Sequence, residues 1–125
     1  MKAVLLCAGF GTRMGKLTEH CPKPLLKVAG LSLVKRQILS LKKIGVTDFY
    51  LNLHYLGEQI QQELGDGASL GVRIHYKWED QPSGTAGGVK IFARELAQEK
   101  NFFVLYGDIV TDENFERIKI GRAHV

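Results

Sequence analysis

Apolar positions along the chain gather into short runs and stripes, separated by breaks that carry glycine, proline or aspartate. The first run, Ala3-Val4-Leu5-Leu6, is continuous, as expected of a strand buried on both faces of a parallel sheet. A second short apolar segment, Leu25 to Ala29, ends at Gly30. Ser32 then stands where a helix N-cap would. Val34, Ile38, Leu41 and Ile44 follow at spacings of four, three and three, one stripe of a helix running to about Lys43, and Gly45 closes it. Thr47 to Leu53 reads as the second strand, and Leu56 to Leu64 as a helix stopped by Gly65-Asp66-Gly67. From Val72 to Trp78 the pattern has period two, with Val72, Ile74, Tyr76 and Trp78 on one face and Arg73, His75 and Lys77 on the other. A loop, Glu79 to Thr85, leads to a helix from Ala86 to Gln98 and a fourth strand from Asn101 to Tyr106. A further helix begins at Asp112.

Strands and helices alternate as β-α-β-α-β-α-β, with about 20–30 residues per strand-helix unit, the spacing of right-handed crossovers between parallel strands. The expected fold is α/β: a Rossmann-like parallel or mixed sheet with helices on both faces. No internal repeat, linker or low-complexity tract interrupts it.

Composition changes this picture little. Of the 125 residues 45% are apolar, ordinary for a globular core. A net charge of +4 and a pI near 9.1 raise the question of nucleic acid. Yet Lys35, Arg36, Lys42 and Lys43 fall among helical positions that read as solvated faces, and no basic run is interleaved with aromatics, so no nucleic-acid partner is expected. No apolar run is long enough to span a membrane, and Lys2 leads into a strand rather than a signal peptide. The two cysteines make neither a disulfide framework nor a zinc quartet. A cytoplasmic protein without membrane contact is expected. His20, His54 and His75 lack metal-ligand spacing, Cys7 reads as a small buried hydrophobe, and Cys21 as a loop residue without a catalytic partner.

The candidate chemistry follows the first strand, at the end of an α/β sheet where ligands bind. Gly9 and Gly11 let the backbone turn tightly and bring N–H groups close to an anion. Arg13 adds a forked cation suited to phosphate oxygens, and Lys23, between Pro22 and Pro24, adds a second cation with a restricted approach. This reads as a polyphosphate cradle. It is not a P-loop, because Phe10 occupies the position of the first glycine and Leu17 follows Lys16. Nor is it the dinucleotide fingerprint, because Met14 replaces the third glycine.

Gly9-Phe10-Gly11-Thr12-Arg13, Leu17-Thr18 and Pro22-Lys23-Pro24-Leu25, in that order after a strand, resemble the signature of the sugar-1-phosphate nucleotidylyltransferases. Pro82-Ser83-Gly84-Thr85-Ala86-Gly87 resembles that family's base-and-sugar loop. The resemblance implies transfer of a nucleoside monophosphate from an NTP to a sugar 1-phosphate, with pyrophosphate leaving. It implies Arg13 and Lys23 as catalytic groups, and Ala8, Gly9, Gly11, Thr12, Glu79, Gly84 and Thr85 around the nucleotide. Gly107 falls on the sugar side, and Asp108 would hold Mg²⁺ bridging the phosphates, an ordinary turn aspartate being the alternative. Glu79 matches the position that contacts the base edge, where many thymidine- and uridine-using relatives carry glutamine. A carboxylate only accepts hydrogen bonds, which suits the adjacent N1–H and N2–H₂ donors of guanine. Its alternative is a solvent-facing glutamate. Trp78 reads as packing on the sheet, with base stacking as the other possibility.

The subfamily that the resemblance favours is mannose-1-phosphate guanylyltransferase-like, using GTP, because Gly84-Thr85-Ala86-Gly87-Gly88 follows Pro82-Ser83 in that style. Thymidylyl- or uridylyltransferases on glucose or N-acetylmuramate phosphates stay open, as does a non-catalytic nucleotide-binding relative. Homo-oligomerisation of the full-length protein stays open too. The last six residues, Ile120 to Val125, spell in one reading frame what a common sequencing-library adapter encodes. On that reading residues 1–119 are the incomplete N-terminal, nucleotide-binding part of a nucleotidyltransferase domain, cut on its C-terminal side, and residues 120–125 are not native. Such a fragment is expected to lack turnover by itself.

Overall fold

The computed structural model describes residues 1–8, 21–54, 56–81 and 84–107. The first apolar run forms β1 (Lys2–Leu6). A 3-10 turn (Lys23–Leu25) and two short strands, β2 (Lys27–Val28) and β3 (Leu31–Ser32), lead into helix α1 (Leu33–Lys42). Ser32 caps α1 as its position predicts, its hydroxyl accepting from the Lys35 N–H at 3.3 Å. Then come β4 (Asp48–Leu53), α2 (Gly57–Leu64), β5 (Arg73–Trp78), α3 (Gly84–Lys90), α4 (Ala93–Leu96) and β6 (Phe102–Tyr106). The helix expected from Asp112 lies outside the described residues.

β1, β4, β5 and β6 make one parallel sheet in the order β5-β4-β1-β6. Period-two alternation sends successive side chains to opposite faces. Ala3, Leu5, Phe49, Leu51, Leu53 and Ile74 pack with Val34, Ile38 and Leu41 of α1 and Ile60 and Leu64 of α2. Val4, Leu6 and Tyr50 pack on the other face with Val89, Phe92 and Leu96. Right-handed crossovers require this division. The chain steps outward from β1 to β4 to β5, then reverses across the sheet to β6, so its last crossover lies on the opposite face.

Two stretches differ from the apolar pattern. The segment ending at Gly30 is half of a hairpin, β2 pairing antiparallel with β3. Ala29 and Gly30, with φ of 55° and 81°, are both left-handed, the geometry of a two-residue hairpin turn. The helix expected from Ala86 to Gln98 is divided into α3 and α4 at Ile91–Phe92. There the Phe92 N–H bonds back three residues, to the Val89 carbonyl at 3.0 Å, and its fully buried ring meets Tyr50 edge-on at 5.4 Å. Tertiary packing of one aromatic overrides continuous helix.

At the N-terminal edge of the sheet, Arg73 donates to both carboxylate oxygens of Asp48, at 2.9 and 2.8 Å. These bonds hold the Asp48 carboxyl well below the usual carboxylate range, at about 2, with His75 and Thr47 adding smaller contributions. Since Asp48 and Arg73 are register partners, the pair pins β4 to β5 at the end remote from the candidate site.

Candidate functional site

In the order β5-β4-β1-β6 the chain reverses direction between β1 and β6, so the topological switch point lies between the C-terminal ends of these strands. Three segments meet there. The ladder continues one step past β6, the Gly107 N–H donating to the Leu6 carbonyl at 3.0 Å. A Cβ placed on Gly107 would lie 2.6 Å from Cys7 Sγ and 3.7 Å from Pro24 Cβ. Only glycine lets the end of β6 sit so close to both the start of the glycine loop and the proline turn. From α1, buried Gln37 donates to the Tyr106 carbonyl at 2.7 Å, fixing the last residue of β6.

Lys23 sits in a tight turn between buried prolines. The Leu25 N–H bonds to the Pro22 carbonyl at 2.9 Å, and the Leu26 N–H to the Lys23 carbonyl at 3.1 Å. Both are backbone bonds, and Lys23 itself is half-buried.

A second polar group occupies the C-terminal ends of β4 and β5. Asn52 is 3% exposed, and its Oδ1 accepts from the Cys7 N–H at 2.7 Å. Its Nδ2 donates to Glu79 Oε2 at 2.7 Å. The Glu79 N–H donates to the Leu53 carbonyl at 2.8 Å, and His54 Nδ1 lies 2.8 Å from the Glu79 carbonyl oxygen. Since a carbonyl can only accept, His54 carries its proton on Nδ1 in that contact. Glu79, 9% exposed, is thus a structured, buried carboxylate and not a solvent-facing one.

Of the residues singled out in the sequence, the fold brings Ala8, Lys23 and Gly107 to the switch point, and Glu79 to the neighbouring edge. Gly84 is exposed at the start of α3 with φ of 78°, a left-handed conformation that itself favours glycine. Gly9, Gly11, Thr12, Arg13 and Asp108 lie outside the described residues, as does the Thr85 side chain. Trp78 is 47% exposed and rests against Gly57, where a Cβ would meet its ring at 2.8 Å.

Burial and the charge of Glu63 push the Cys21 thiol up from its ordinary value, which leaves little thiolate for nucleophilic chemistry. Asn52 and Gln37 are the residues that sequence reasoning missed. The available signal was one polar side chain within each apolar pattern. Among the described residues, no group of three or more His, Cys, Asp or Glu side chains could hold a metal ion, and no helix is long and apolar enough to cross a membrane.

The parallel sheet, with helices on both faces and its loops meeting at a switch point, is a Rossmann-like α/β domain. Residues 2–120 match the family described as Nucleotidyl transferase, and the chain belongs to that family. It is 45% identical over 118 residues to the N-acetylmuramate alpha-1-phosphate uridylyltransferase of Neisseria meningitidis, covering 92% of this chain and 50% of that protein. With mannose-1-phosphate guanyltransferase beta-B of Xenopus laevis it shares 39% identity over 119 residues, 93% of this chain and 33% of the relative. The chain thus spans a third to a half of the length of these relatives. Among solved structures, HddC from Yersinia pseudotuberculosis superposes with a TM-score of 0.81 at 24% identity, covering 95% of this chain and 52% of HddC. That likeness concerns the fold.

Proposed function

We propose that the protein carrying this chain transfers a nucleoside monophosphate from an NTP to a sugar 1-phosphate. A phosphate oxygen of the sugar phosphate attacks the α-phosphorus in line; the new O–Pα bond forms as the bond to the pyrophosphate oxygen breaks. Phosphate is already a nucleophile, so the work is alignment and neutralisation of charge. The observation that carries this reading is the meeting of Cys7, the Lys23 turn and Gly107 at the switch point. Backbone N–H groups of the glycine loop, Arg13 and Lys23 would cradle the phosphates. Asp108, the next residue after Gly107, would hold Mg²⁺ with phosphate oxygens and waters as its other ligands. Bound there, the ion would neutralise charge on the phosphates.

For the base we favour guanine, because the Glu79 carboxylate is a fixed acceptor beside the loop that begins α3. A second reading, uridylyl transfer, is favoured by the higher identity to the Neisseria uridylyltransferase. The two separate in an assay of the complete protein with GTP, UTP and dTTP against mannose 1-phosphate, glucose 1-phosphate and N-acetylmuramate 1-phosphate. The guanine reading predicts the highest kcat/KM with GTP. UTP ranking first would replace it with the second.

A further inference from the structure

The Cys7 N–H is a main-chain donor whose polarity cannot change. The side-chain atom of Asn52 that lies 2.7 Å from it must therefore be oxygen. That contact leaves Nδ2, a donor, facing Glu79 Oε2. The amide has no room to turn away, because a Cβ on Gly88 of α3 would already lie 2.7 Å from Nδ2. Asn52 thus passes a fixed polarity from the backbone just after β1 to residue 79, 27 positions beyond it in the sequence.

We propose that Asn52 is a positioning residue that decides which atom of residue 79 meets the nucleobase. The proposal rests on the reading of Glu79 as the base contact. Whatever stands at 79 must offer an acceptor to Asn52 Nδ2. With Glu79, Oε2 fills that role and the base meets Oε1, a second acceptor. With glutamine at 79, its only oxygen turns to Asn52 and the base meets Nε2, a donor. Residue 52 also joins the two halves of the nucleotide site. One end of its amide orients the base contact, and the other holds Cys7, two residues before Gly9 of the phosphate loop.

Exchanging amide and carboxylate between the two positions tests this. In the double variant Asn52→Asp with Glu79→Gln, one oxygen of the carboxylate at position 52 accepts from the Cys7 N–H. The other accepts from the amide nitrogen at position 79. That turns the amide oxygen at position 79 to the base, and the pair keeps its size and its single negative charge. The readout is the ratio of kcat/KM for GTP to that for UTP in the complete protein.

Glu79→Gln alone is expected to lower the ratio about tenfold or more, one lost charge-assisted bond being worth that much. The exchanged pair is expected to regain most of it, although its residue 79 is the same glutamine. Asn52→Asp alone, with two facing carboxylates, is expected to melt below both. A merely structural Asn52 would not reverse a nucleotide ranking. If Glu79→Gln leaves the ratio unmoved, Glu79 does not read the base and the inference falls with that reading. If the ratio moves but the exchanged pair does not bring it back, or the pair does not fold, the inference alone is overturned.

Discussion

Lys23→Ala and Arg13→Ala are each expected to lower kcat/KM of the complete protein by roughly 100-fold or more, the usual consequence of removing one preorganised charge from a transition state that develops charge. The turn that carries Lys23 is closed by backbone bonds to the Pro22 and Lys23 carbonyls and flanked by buried Pro22 and Pro24. A melting curve of Lys23→Ala beside its kinetics separates a loss of turnover from a loss of folding. Lys23→Arg should recover only part, because a broad planar fork replaces a compact point charge on a stem of fixed direction. Parental kcat/KM in Lys23→Ala would remove this turn from the site.

Gly88→Ala is expected to destabilise the protein, against the usual sign for such a change in a helix. Helix propensity alone favours alanine by about 1 kcal/mol. The added methyl, however, would lie 2.7 Å from both Asn52 Nδ2 and Leu6 Cδ2, each on a buried residue. Overpacking of this kind costs about 1–3 kcal/mol, so the steric term wins. The melting temperature should fall by several degrees, with the loss centred on the Asn52 bonds to Cys7 and Glu79. A melting temperature equal to or above the parent's would show that α3 can lift away from β1 and β4 without cost.

The sheet was legible from the chain because its strands declare themselves locally. Ala3 to Leu6 and Phe102 to Tyr106 are apolar runs, and the period-two pattern from Val72 places Ile74 inward and Arg73 outward, as found. The cap at Ser32 was equally local, depending on a bond that spans three residues. What escaped was decided at a distance. Asn52 finds its partner at Cys7, 45 positions earlier, and Gln37 finds Tyr106, 69 positions later. Within their own stretches each looks like one polar interruption. Phe92 fits a helical stripe, yet the demand of Tyr50 for its ring breaks the helix there. Ala29 in a left-handed turn has no compositional mark at all.

The candidate site divides in the same way. The glycine loop and Pro22-Lys23-Pro24-Leu25 could be read as motifs because backbone shape and charge type are written in residue identity. Whether Glu79 faced solvent or interior could not, since the answer depends on an asparagine on a neighbouring strand. For Gly107 the resemblance implied a place on the sugar side but no packing reason; that reason is the contact with Cys7 and Pro24 across the switch point.

Nucleotidyl transfer to a sugar phosphate is the function proposed for this fold. Its most direct test follows a label on the α-phosphorus of the NTP in the complete protein with Mg²⁺ and a panel of hexose 1-phosphates. The label is expected to pass into a nucleotide-sugar while an equal amount of pyrophosphate appears. Neither product should form without sugar phosphate, and both should fall by roughly 100-fold or more in Asp108→Asn. Label that stays in the NTP, or leaves as free nucleotide irrespective of the sugar phosphate, would contradict it.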